Sequence, residues 1–288
     1  MTLSDARRQL IAQLQPSYSE GEAAAITERV LEHVTGRSFT EQRTHPKQTI
    51  TAEEAAVIQQ HTRRLLGNEP VQYVLGETWF SGYRFQVSPA VLIPRPETEE
   101  LVEWVISYCR FPLEGLRILD VGTGSGCIAV SLKRRLRKPE VWACDRSEAA
   151  LEIARRNAGQ LGAPVQFLPF DFLDETNWTP LPDFDIIVSN PPYISPEERG
   201  SLEPHVAWHE PAMALFTPGP DALIFYRKLA AFGHRHLRPE GHLFAEVHSE
   251  RGQFVLDLFR REGYEAELKA DLFGKERMVR ATRPRSDH

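Results

Sequence analysis

The sequence predicts an α/β fold, a parallel sheet preceded by a small helical domain, and three observations carry that expectation. From residue 117 onward, short apolar runs alternate with segments of helical periodicity. The first of those runs feeds into the glycine-rich stretch Gly122-Thr123-Gly124-Ser125-Gly126, after which helical spacing resumes. Ahead of residue 70, capping signals precede apolar residues at helical spacing, with no strand pattern between them. A chain of 288 residues, 41% hydrophobic and 26% charged, has the balance of a globular protein with room for one large domain and one smaller.

Residues 1–70 form the helical domain. Ser19 with Glu22 and Thr51 with Glu54 are capping-box pairs, and Gly36 and Gly67 are placed to end the helices they open. Ile26, Val30, Leu31 and Val34 share one face of the middle helix, which gives this unit a core of its own. Residues 71–91 turn aromatic and β-branched, broken by Gly76 and Gly82, as a β-hairpin linker requires. In Ile93 to Glu99, Pro94 and Pro96 set an extended lead-in, and Glu97 or Thr98 opens a helix running to about Arg110.

The third segment, 92–288, holds the sheet. Strands are expected at Arg117 to Val121, Val141 to Cys144, Val165 to Leu168, Asp185 to Ser189 and His242 to Val247. The last two runs, Glu265 to Leu268 and Arg277 to Ala281, have no helix between them and should close the sheet as an antiparallel hairpin. Glu103, Glu246 and Asp257 are read as solvent-facing or helix-end charges.

The net charge of −6 is spread so that neither side of residue 90 is basic, which counts against a nucleic-acid partner held through its phosphates. Cys109, Cys127 and Cys144 lack a Cys-x-x-Cys spacing and are expected to be buried structural thiols, with no disulfide or zinc site. His234, His236 and His242 surround a helix-to-strand loop without matching carboxylates, so no metal is expected there. With no signal segment and no apolar run of membrane-spanning length, the expectation is a cytoplasmic protein without a membrane partner.

Gly122 to Gly126 follows a strand and opens a helix, where the backbone must turn sharply and approach a ligand closely. Cys127 and Ile128 break the Gly-x-Gly-x-x-Gly spacing that would hold a dinucleotide pyrophosphate, so a dehydrogenase fits poorly. Asp145, at the end of the next strand, is placed to accept from two ribose hydroxyls. Asp171 and Phe172, after the third strand, are expected beside an adenine ring, the carboxylate accepting from the exocyclic amine. Together these residues suit an adenosine-containing cofactor.

Asn190-Pro191-Pro192-Tyr193 follows the strand Asp185 to Ser189, at the carboxyl edge where open α/β sheets bind ligands. Pro191 keeps Asn190 out of the helical region, and two prolines make a stiff loop with carbonyls and no competing N–H donors. An amide or aniline-like nitrogen is a weak nucleophile because its lone pair is delocalised. The Asn190 side-chain oxygen and the Pro191 carbonyl could hold both N–H bonds of a planar NH2 group and free that lone pair for attack on a sulfonium methyl, with Tyr193 packed on the flat face. Glutamine and adenine present this group alike, so a nucleic-acid base remains the alternative target.

These residues together resemble the release-factor glutamine methyltransferases. The resemblance covers nearly the whole chain and extends to Gly76, Phe80-Ser81-Gly82, Glu210-Pro211 and Ala214-Leu215, and most specifically to Leu92-Ile93-Pro94-Arg95-Pro96-Glu97-Thr98-Glu99. It implies a seven-stranded Rossmann-like domain that uses S-adenosylmethionine, and a helical domain that docks class 1 peptide chain release factors. The implied reaction is methylation of the Gly-Gly-Gln glutamine, with Asn190 touching both cofactor and substrate and Arg95 among the substrate-binding residues. The chain departs from the family pattern at Phe172, where tryptophan is common, at Ala222, and at Glu246-Val247-His248.

Overall fold

A computed structural model describes residues 1–109, 115–201 and 204–284. The chain divides into two compact units: Met1–Glu77 with Glu203–His209, and Thr78–Leu202 with Glu210–His288.

The first unit is helical, with α1 (Leu3–Leu14), α2 (Glu20–Thr35), α3 (Phe39–Thr44), α4 (Ala52–Leu66) and α5 (Val71–Leu75). At the head of α4, Thr51 Oγ1 accepts from Glu54 N at 3.1 Å and the Glu54 carboxylate accepts from Thr51 N at 2.6 Å, a complete capping box. Ser19 accepts from Glu22 N at 3.3 Å, and Gly36 ends α2 at φ 68°. Leu10 and Leu14, Val30 and Leu31, and Ile58 and Leu65 bring α1, α2 and α4 into one buried core.

The hairpin expected from Val71 starts later. Val71–Leu75 is a helical turn preceded by Pro70 and burying Tyr73, Val74 and Leu75. Arg64, paired with Glu69, donates to the Tyr73 and Val74 carbonyls at 3.0 Å each and so satisfies the end of this short helix. Strand pairing is confined to β1 (Glu77–Phe80) and β2 (Tyr83–Gln86). Ser81 and Gly82 join them at φ 49° and 79°, the left-handed pair that a two-residue hairpin turn demands.

The second unit is built on β3 (Arg117–Val121), β4 (Glu140–Asp145), β5 (Gln166–Pro169), β6 (Phe184–Ser189), β7 (Leu237–Glu246), β8 (Glu265–Ala270) and β9 (Glu276–Thr282). Their order in the sheet is β5-β4-β3-β6-β7-β9-β8; β3 to β7 pair in parallel, and β9 runs antiparallel to both its neighbours. Successive residues face opposite cores. Leu119, Ile187 and Leu243 join the helices Ile224–His236 and Gly252–Arg261, while Ile118, Ile186 and Phe244 join α6 (Pro96–Tyr108) and α7 (Cys127–Arg135). Burial on both faces is why these strands read as continuous apolar runs. β7 begins five residues ahead of the expected His242, because an irregular stretch with Glu240 at φ 62° separates Leu237 from the regular register.

Neither Glu97 nor Thr98 opens α6. Arg95 is the extended residue before it and Pro96 takes its first position, leaving Thr98 buried inside the first turn. The helix ends at Tyr108; Arg110, its expected limit, lies outside the described residues. Cys127 and Cys144 are buried free thiols, Cys127 pushed up to about 12 by burial, whereas Cys109 is only half-buried. Among the described residues, no helix is long and apolar enough to cross a membrane.

Candidate active site

Three neighbouring strands end at one cleft. The loop after β3, the end of β4 and the loop after β6 line it, joined by Phe170 to Phe172 and the segment Ala90 to Thr98; the space free of protein atoms, open mouth included, is about 980 Å³. This is the carboxyl edge of a parallel sheet, where backbone turns replace strand pairing and leave groups free for a ligand.

The glycine loop is tied across to β4. Gly122 N and Thr123 N both donate to the Cys144 carbonyl, at 2.9 and 3.0 Å. Gly122, Gly124 and Gly126 take φ values of 73°, 53° and 80°. A Cβ at Gly126 would stand 3.1 Å from the Ala154 Cβ in α8 (Glu148–Gln160), so close packing excludes a side chain there. At Gly122 and Gly124 a Cβ would meet no protein atom within 4 Å, so the missing side chains leave free space in a lining wall.

Beneath the loop lies Asp120. Its Oδ2 accepts from Thr123 Oγ1 at 2.6 Å and from Ala129 N at 3.2 Å, while Oδ1 has no partner. Burial pushes this carboxyl up to about 7, against the pull of those two bonds. The Thr123 side chain is thus committed to the loop's own support. Asn157 of α8 braces the other side, donating to the Ser125 carbonyl at 2.8 Å and exchanging bonds with Gln86 N and O at 2.7 and 3.0 Å.

Asp145 Oδ2 accepts from Gly124 N and Oδ1 from Ser147 N, both at 2.9 Å. Burial raises its carboxyl, and these bonds oppose that shift. Each oxygen keeps an unused acceptor position for a vicinal diol. Asp171 Oδ1 accepts from Leu173 N at 3.0 Å, and its Oδ2 lies 3.7 Å from Arg146. Phe172 borders the cleft with its ring packed on Trp178 and Phe232, at 5.4 and 5.3 Å between centroids. Bare glycine backbone, a carboxylate with spare acceptors and an aromatic wall fit an adenosine-containing group.

Asn190, Pro191 and Pro192 line the same cleft; Tyr193 does not. Its ring packs 5.8 Å from His248, its carbonyl accepts from Arg251 Nη1 at 2.8 Å, and burial raises its hydroxyl. Asn190 Nδ2 donates to Thr98 Oγ1 at 3.1 Å, and Thr98 Oγ1 donates to Glu246 Oε2 at 2.6 Å. Glu246, expected as a solvent or helix-end charge, is instead buried at the carboxyl end of β7 and pushed up to about 7 by burial. Its signal was its position: an acid closing an apolar strand, as Asp145 does. Arg95 also lines the cleft, its guanidinium held by buried Glu210 at 2.5 Å.

Among the described residues, no group of three or more His, Cys, Asp and Glu is arranged to hold a metal ion. His236 stacks on Phe232 and His242 contacts Thr282.

The chain is similar to known proteins over most of its length. The family model described as "Methyltransferase small domain" matches residues 108–215, and that described as "PrmC N-terminal domain" matches 5–76. A release factor glutamine methyltransferase of Bacteroides thetaiotaomicron is 44% identical over 76% of this chain and 78% of its own length. One from Streptococcus pneumoniae is 36% identical over 93% and 97%. Among solved structures, the Thermus thermophilus 16S rRNA N2 G1207 methyltransferase in complex with AdoMet and guanosine shares the fold, with a TM-score of 0.52 at 19% identity, covering 72% of this chain and 49% of that one.

Proposed function

The chain belongs to the release factor glutamine methyltransferase family, and from that premise we propose that it methylates the side-chain amide nitrogen of the Gly-Gly-Gln glutamine in class 1 peptide chain release factors, in the cytoplasm, using S-adenosylmethionine. The observation that carries this reading is the meeting of Asn190-Pro191-Pro192 with the Gly122 to Gly126 loop and Asp145 in one cleft.

When bound, S-adenosylmethionine supplies an electrophilic methyl group on a sulfonium sulfur. Gly122 to Gly126 gives its methionine portion close access to bare backbone. Asp145 would accept from the ribose hydroxyls, and Asp171 and Phe172 would border the adenine. Asn190 Oδ1 and the Pro191 carbonyl accept the two N–H bonds of the substrate amide, which holds that nitrogen's lone pair toward the methyl group. Methyl transfer would leave that nitrogen acidic, and its proton would pass to water. The contribution of the loop is orientation and fixed dipoles. The helical unit offers the release factor a docking surface.

Mass spectrometry of a purified release factor after incubation with protein and cofactor tests the reading. The expected result is a gain of one methyl group on the Gly-Gly-Gln glutamine. Labelled methyl groups appearing on nucleic acid, with the release factor unmodified, overturn it.

A further inference from the structure

Asn190 is one end of a chain of three polar side chains drawn from three elements. Glu246 ends β7, Thr98 lies inside the first turn of α6, and Asn190 follows β6. Thr98 and Glu246 are both buried, and the Tyr226 hydroxyl donates to the Glu246 carbonyl at 2.9 Å, fixing that strand end. A threonine hydroxyl has one proton. Thr98 gives it to Glu246 at 2.6 Å, so only its lone pairs remain for Asn190, which turns its NH2 end to Thr98 at 3.1 Å. The oxygen end of the Asn190 amide is thereby left free of that contact. Were the amide reversed, its NH2 would oppose a substrate NH2, donor against donor.

We propose that Thr98 and Glu246 are positioning residues that select which end of the Asn190 amide meets the substrate, making the loop an acceptor for N–H groups and selecting against targets that present only oxygen. This rests on the methyl-transfer reading above. Glu246 sets the direction of the chain when its carboxylate is ionised, since it can then only accept. Burial and Glu97 work against its ionised form, while the Thr98 hydroxyl, Arg277 and Arg95 support it.

The experiment compares Thr98→Val, Thr98→Ser and Glu246→Gln with the wild type. Steady-state methylation of a release factor gives kcat and KM, and calorimetry gives S-adenosylhomocysteine affinity. Nitrogen-15 NMR follows the Asn190 side-chain NH2, assigned by its loss in Asn190→Ala. Thr98→Val and Glu246→Gln are expected to lose about 10- to 100-fold in kcat, with KM and product affinity held within about threefold, the scale of supporting residues behind a reacting group. Thr98→Ser, which keeps the hydroxyl, retains kcat within about threefold. The Asn190 NH2 signal shifts in the valine and glutamine variants and stays in place in the serine variant. An unshifted signal with wild-type kcat in Thr98→Val overturns the proposal, as does parallel loss of turnover and product affinity in all three. Should Thr98→Val fail to fold, Thr98→Ser against Glu246→Gln carries the same comparison. A wild type that leaves release factor unmethylated sinks the proposed function instead, and the NMR comparison then decides the relay alone.

Discussion

Asp145, the last residue of β4, accepts a hydrogen bond from the backbone of Gly124 in the loop after β3, 2.9 Å away. The carboxylate that would grip the ribose also holds the loop that would surround the rest of the cofactor. Asp145→Ala should therefore weaken S-adenosylmethionine about 10- to 100-fold, the loss of charge-assisted hydrogen bonds. Isothermal titration checks this; an unchanged Kd would show that the carboxylate serves the loop alone.

Asn190→Ala removes one of the two acceptors proposed for the substrate nitrogen. Turnover is expected to fall about 100-fold or more, as when one donor of an oxyanion hole is lost. The urea midpoint should move little, since one partly buried bond, to Thr98, is lost with it. Wild-type turnover in this variant would end the proposed role.

Gly126 and Gly122 separate two reasons for glycine. Gly126 has φ 80° and a neighbour 3.1 Å from where a Cβ would sit; Gly122 has φ 73° and open space. Alanine at 126 should cost about 2 kcal/mol or more of stability, combining left-handed strain with crowding. At 122 the strain alone remains, about 1 kcal/mol, while cofactor affinity drops more steeply. Equal destabilisation in the two variants would contradict the packing argument.

Asn157→Ala withdraws three hydrogen bonds from the backbone of Gln86 and Ser125. Leaving those groups unpaired should cost about 2 to 4 kcal/mol. Chemical denaturation of the variant measures it, and a cost under about 0.5 kcal/mol, the scale of a neutral surface change, would mean that the hairpin and the loop need no brace.

Asp120 gives stability a pH dependence of known sign. Burial raises its folded carboxyl from an ordinary 3.8 to about 7, so the folded state binds the proton more tightly than the unfolded chain does. That contribution is full below the ordinary value and is lost as pH rises through about 7. Relative to Asp120→Asn, which does not titrate, the wild type should lose up to about 1.4 kcal/mol per pH unit across that window and nothing further above it. Glu246 is raised in the same direction, to about 7, and cancels in the difference. Urea titrations from weakly acid to weakly alkaline pH test this, and a constant difference would refute it.

What could be seen in the sequence was local. Gly122 to Gly126, Asp145 and Asn190 each close a strand, and a strand's end puts them at the sheet edge whatever their distant partners. The Thr51 to Glu54 cap needs only neighbours three residues apart. Glu246 and Thr98 could not be read this way, for they stand 148 residues apart and their pairing exists only once α6 lies against β7. Arg95 and Glu210, 115 residues apart, show why a cationic residue in a motif does not reveal what it grips. Tyr193 is a similar case: the motif names the residue, but packing against His248 and the Arg251 bond decide where its ring goes.

β9 lies between β7 and β8 although it follows both in the chain. Until β9 is in place, β8 therefore has no partner in the sheet, and β7 keeps a bare edge next to Glu246. A folding intermediate that lacks β9 carries two open strand edges at once and displays a sheet prone to recruit a neighbour's strand.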